Sequence, residues 1–119
     1  MVSLNYTTHL HDATMVKAYI NAYHDNAQAI RLDPKNAEAF HIQALIEWSG
    51  GRNRALDCFN RAIELSPDNV SFYFSRGLFY SEMHDDARAL ADFDRALELN
   101  PPDAEIKLPQ AMLRTRLGA

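Results

Sequence analysis

Cysteine is nearly absent. Cys58 stands alone among 119 residues, which excludes an intramolecular disulfide and suits a reducing compartment, so a cytoplasmic location is expected. Basic residues are outnumbered, 12 against 16 acidic, for a net charge of −4. A nucleic-acid partner is therefore not expected, because binding phosphates needs a basic face. No apolar run approaches the ~20 residues of a membrane helix, and no membrane association is expected. Met1 to His11 carry no basic stretch leading into an apolar one, so a secretory signal is not expected either. Glycine and proline are scarce, at 4 and 5 residues, which excludes low-complexity sequence. What is present is ordinary globular material: 47% hydrophobic and 24% charged residues. A chain of this length buries roughly two-thirds of its unfolded surface and needs no metal or disulfide to fold.

The prolines that do occur are not scattered. Pro34, Pro67 and Pro101 lie 33 and 34 residues apart. Near-identical phrases lead into them: Ala29-Ile30-Arg31-Leu32-Asp33, Ala62-Ile63-Glu64-Leu65-Ser66 and Ala96-Leu97-Glu98-Leu99-Asn100. A fixed period of this length marks stacked repeats. Within a period the apolar residues keep helical spacing, as in Ala55, Leu56, Phe59, Ala62, Ile63 and again in Ala89, Leu90, Phe93, Ala96, Leu97. Each such helix stops at a polar residue before proline, which restricts its predecessor and cannot continue the backbone ladder. Asn36, Asn69 and Asp103 then stand where N-caps are wanted. The spacing predicts helices at about 3–11, 13–32, 36–49, 53–65, 70–82, 86–99 and 103–117, and no strand.

These residues resemble the tetratricopeptide repeat family, whose pattern runs W-x2-L-G-x2-Y, then A-x3-F, then A and P. Residues 70–103 carry it in Tyr73, Gly77, Tyr80, Ala89, Phe93, Ala96 and Pro101, with Arg76 where leucine is usual. Residues 37–69 carry it in Phe40, Ala44, Ala55, Phe59, Ala62 and Pro67, with Gln43 and Glu47 departing. A frame slid by one residue, with Ile42 and Ile46 at the apolar positions, is the alternative for this first helix. Residues 3–36 form a degenerate repeat in which Asn26 replaces the aromatic. Residues 104–117 look like the family's terminal capping helix. The resemblance implies an all-α fold: a right-handed α-solenoid of antiparallel helix pairs, one domain over residues 1–119.

No motif for chemistry emerges. Gly50-Gly51 lacks the Lys-Ser or Lys-Thr of a phosphate loop and reads as a tight turn. The histidines do not stand at i and i+4, so no metal site is expected. Asp92 and Asp94 read as solvated residues on the outer side of their helix, and Asp85-Asp86 as a helix start. No catalytic residue and no cofactor are expected, and the chain does not read as an enzyme.

The resemblance implies instead a concave surface lined by the first helix of each repeat, which in this family holds peptides or partner proteins. The family's carboxylate-clamping variant uses Lys, Asn and Arg there. Here those positions carry no such set. Ile42, Leu45, Phe74, Leu78, Leu108 and Met112 are expected to make an apolar stripe instead, with His41 and Trp48 at its edge; cover by the cap helix and the degenerate first repeat is the competing reading. For Trp48, packing under the Gly50 turn is the competing reading. The expected function is a protein-interaction scaffold that takes an apolar segment of a partner. A small chaperone shielding a hydrophobic client segment is one alternative, and self-association through the end repeats is another.

Overall fold

The repeats at 37–69 and 70–103 each open on a helix capped by an asparagine side chain and run to a proline. The computed structural model describes residues 13–50 and 54–118. Among them are six helices and no strand: α1 Ala13–Leu32, α2 Ala37–Ser49, α3 Ala55–Leu65, α4 Val70–Glu82, α5 Asp86–Leu99 and α6 Ala104–Arg116. These agree with the sequence reading to within two residues at every described boundary. The helix expected at 3–11 lies outside the described residues, as does Gly51.

The caps form as the side chains require. Asn36 accepts from the Ala39 amide at 3.1 Å, Asn69 from Phe72 at 3.4 Å, and Asp103 from Glu105 at 3.0 Å. Asp85 accepts from Arg88 at 3.2 Å, so it starts α5 as expected. At the other ends, Ser66 and Asn100 adopt almost the same extended backbone, φ −145° and −143°, which the following prolines impose.

α4 ends differently. The His84 amide donates to the Ser81 carbonyl at 3.1 Å and the Asp85 amide to Tyr80 at 2.9 Å. This 6→1 and 5→2 pair closes the helix only if His84 turns left-handed, and its φ is 64°. A left-handed conformation costs a residue with a Cβ about 1–2 kcal/mol. His84→Gly is therefore expected to raise stability by up to about 1 kcal/mol, after the larger entropy of the unfolded glycine is deducted. The urea midpoint should rise at constant slope. An unchanged midpoint would mean that the imidazole contributes contacts worth as much as the strain.

The core is shared between repeats. One cluster joins Ala44, Ala55 and Phe59 to Phe79 of the next repeat. The other joins Tyr73, Ala89, Phe93 and Ala96 to Ile106 and Leu113 of α6. Small residues let the helices approach, and aromatic rings fill what remains. Ala44 is fully buried and Ile42 exposed, which sets the frame of α2 with Phe40 at the aromatic position rather than the slid alternative. α6 covers Phe93 and so closes the last repeat. Its outer side, at the register where α4 carries Tyr73, Gly77 and Tyr80, carries Lys107, Ala111 and Arg114. That side is polar and suits solvent. Ion pairs tie α6 back to α5: Arg116 to Asp86 at 2.8 Å and Arg114 to Asp94 at 3.2 Å. The hydrogen bond from Arg116 holds the Asp86 carboxyl below its ordinary value. Its contribution is therefore present above the ordinary carboxylate range and lost as pH falls through the lowered value.

The polar departures from the repeat pattern turn out to be buried pairs. Arg76, standing where leucine is usual, donates to both Asp92 oxygens at 2.8 and 2.7 Å and to Asn60 at 2.8 Å. Asp92 is 4% exposed. The expectation of a solvated Asp92 is thus corrected: it faces α4, where a guanidinium meets it. Asp94 faces α6, accepting from Gln110 at 2.7 Å as well as from Arg114. Asn26 and Gln43 likewise find each other, at 2.9 Å, and Asn26 also donates to the Ala39 carbonyl at 2.8 Å. An amide pair there replaces an aromatic contact between repeats.

Candidate interaction surface

The first helices of successive repeats lie side by side. His41 Nε2 is 2.8 Å from Ser75 Oγ, and Trp48 Nε1 donates to Glu82; both contacts span 34 residues. They hold α2 and α4 in register with their equivalent faces aligned. α6 continues the row. Leu78 and Ser81 of α4, Phe93 of α5, and Pro109, Met112, Leu113 and Arg116 of α6 line a small cleft of about 90 Å³.

Ile42, Leu45 and Leu78 are exposed at 37–40%, and Leu108 and Met112 more so, at 66% and 59%. These five apolar side chains stand on α2, α4 and α6, the helices that the contacts above place in one row. Phe74 lies half-buried among them, its ring 5.8 Å from Phe93. Its buried part packs against the cluster of Tyr73, Ala89 and Phe93.

His41 does not stand at the rim. It is 8% exposed, with its ring 4.8 Å from Phe72 and 6.2 Å from Phe59, and Glu38 lies 3.5 Å from its Nδ1. The expectation is corrected: the imidazole packs against Phe72 and Phe59 and reaches Ser75 between the two helices. Trp48 is half-buried. Its indole packs edge-on against Phe79 at 5.5 Å and Phe59 at 6.3 Å, while the Glu82 carboxylate takes its N–H. Trp48 therefore joins the two repeats, with only part of its ring facing the row. Ser75 and Phe72 for His41, and Phe79 and Glu82 for Trp48, come from the next repeat, and nothing within α2 itself announces them.

Among the described residues, no three His, Cys, Asp or Glu side chains group closely enough to hold a metal. Burial, and then Glu47, push the Cys58 thiol above its ordinary value, the reverse of what a nucleophilic cysteine needs. No described helix is long and apolar enough to cross a membrane.

The comparisons with known proteins agree with this geometry. A tetratricopeptide repeat family model matches residues 58–91, which run from within α3 through α4 into the first turns of α5. Residues 58–91 therefore match a tetratricopeptide repeat, and the fold of the described residues is the helical solenoid of such repeats. Three solved structures show the same fold. The Arabidopsis OM64 TPR domain matches with a TM-score of 0.76 at 25% identity, over 89% of this chain and 88% of that one. The first TPR of Spaghetti (RPAP3), bound to the HSP90 peptide SRMEEVD, matches with a TM-score of 0.79 at 20% identity, over 92% and 87%. A crystal structure of MamA matches with a TM-score of 0.77 at 20% identity, over 88% of this chain and 62% of MamA. This chain thus spans about three fifths of the MamA structure. No curated protein sequence matches it.

Proposed function

We propose that the chain is a protein-interaction scaffold and that it holds an apolar segment of a partner against α2, α4 and α6. The observation that carries this reading is the row of exposed side chains Ile42, Leu45, Leu78, Leu108 and Met112 on neighbouring first helices. Exposed apolar side chains scattered singly need no explanation, but an aligned row is an interaction surface. Burying one of them fully contributes about 1.5–3 kcal/mol. A few together supply micromolar affinity once the costs of association are deducted.

The structural relative bound to SRMEEVD supports peptide binding as the kind of function. Its ligand does not suit this surface. Arg116, the arginine beside Leu78 and Met112, is already paired with Asp86 and so is not free to receive a carboxylate. Self-association by stacking at the C-terminal end is disfavoured by Lys107 and Arg114, which occupy the side a further helix would cover.

A displayed peptide library tests the reading. Apolar sequences should be enriched on the wild-type protein and lost on Leu45→Ser with Leu78→Ser, by tenfold or more in affinity for each ~1.4 kcal/mol removed. Circular dichroism and the melting curve should stay near wild type, because both side chains are already exposed. SRMEEVD should give no saturable binding. A folded double variant that enriches the same peptides would move the interface elsewhere, and tight binding of SRMEEVD would overturn the reading.

A further inference from the structure

Resting on the groove reading above, we propose that the partner segment is cationic as well as apolar, with lysines or arginines interspersed among the side chains that cover the row. Charge complementarity carries this. Glu38 and Glu105 occupy the first turns of α2 and α6, at the same end of the parallel first helices. Glu38 is 62% exposed and Glu105 is exposed too. Both complement the helix N-termini, which lowers the cost of holding them in the empty groove. At the other end of α4, Glu82 is exposed, and the Trp48 N–H it accepts leaves its negative charge in place. Carboxylates therefore stand at both ends of the apolar row.

The nearby cations are turned away or already neutralised. Arg76 is spent on Asp92, Arg114 on Asp94 and Arg116 on Asp86. Lys107 stands at the register of Tyr73, on the side of α6 that faces away from the row. Pro109 adds to the imbalance, since it has no N–H to give the Glu105 carbonyl. The surface offers acceptors and negative charge around apolar side chains. A segment that brings ammonium or guanidinium groups satisfies both, whereas an anionic one meets repulsion. Exposed pairs of this kind are worth up to about fivefold in affinity each, less in salt.

Three labelled peptides decide the matter. They share the same leucines at helical spacing and carry lysine, glutamine or glutamate at every polar position. Fluorescence anisotropy should rank them lysine, glutamine, glutamate, with a spread of about tenfold or more at low salt that collapses near about 0.5 M. Glu38→Gln with Glu105→Gln should remove most of the spread. Glu64→Gln with Glu98→Gln makes the same change in net charge on the second helices and should leave it intact. If both double variants shrink the spread alike, general attraction to an acidic protein explains it and the proposal is overturned. If all three peptides bind equally, the apolar groove stands and the cationic preference falls. If none binds, the groove reading fails and takes this inference with it.

Discussion

Arg76→Leu is expected to destabilise the protein by about 3 kcal/mol, although leucine is the residue the repeat pattern usually carries at this position. The reason lies across the helix pair. Asp92 has a side chain only 6% exposed, and both its oxygens accept from the Arg76 guanidinium. Leucine would leave that carboxylate buried without its cation, and a stranded buried charge costs more than the pair contributes. Asn60 would lose its donor as well. Arg76→Leu combined with Asp92→Ala removes the stranded charge and should recover most of the loss. Urea unfolding of the two single variants and the double variant measures the coupling. Equal losses that simply add would show that the pair is incidental.

Gly77→Ala is expected to destabilise by about 1–3 kcal/mol, and Gly77→Leu by more. Helix propensity alone predicts the opposite for alanine, a gain of up to about 1 kcal/mol. Packing decides between them. A Cβ on Gly77 would meet Phe93 Cε1 at 2.6 Å and Cδ1 at 2.9 Å. Phe93 is fully buried within Ala89, Ala96 and Ile106. It is not the free end of a flexible side chain, so the ring cannot step aside cheaply. The close approach at Gly77 is thus to an aromatic ring and not to a backbone. Phe93→Leu should relieve the clash, so that the alanine costs less in that background than in wild type. A stabilising Gly77→Ala would show that the ring relocates at little cost.

What the sequence made legible was local or periodic. Pro67 and Pro101 end helices wherever they stand, Asn36 and Asn69 cap through their own side chains, and the small residues recur at the repeat spacing, Ala44 with Gly77 and Ala55 with Ala89. These features depend on neighbours within a few residues or on a period, so a linear reading finds them. The misplaced residues depend on partners in another element. Asp92 reads as a surface residue until Arg76 is placed opposite it. His41 reads as a rim residue until Ser75 and Phe72 of the next repeat capture its ring. Asn26 and Gln43 each look like a defect, and only together do they form a contact. The apolar row was legible because exposure on the first helices follows from the period. The charges at its ends gain meaning only once Arg76, Arg114 and Arg116 are seen to be engaged elsewhere.

The central claim is that the row on α2, α4 and α6 is the binding face. Methyl-resolved NMR during titration with the neutral, glutamine-bearing leucine peptide tests it most directly, since neither charge nor variant folding enters. Progressive shifts are expected in the methyl groups of Ile42, Leu45, Leu78, Leu108 and Met112. Leu56, Leu90 and Leu97, on the second helices, should remain unmoved. Shifts confined to the second helices, or a titration that moves no methyl group in the row, would contradict it.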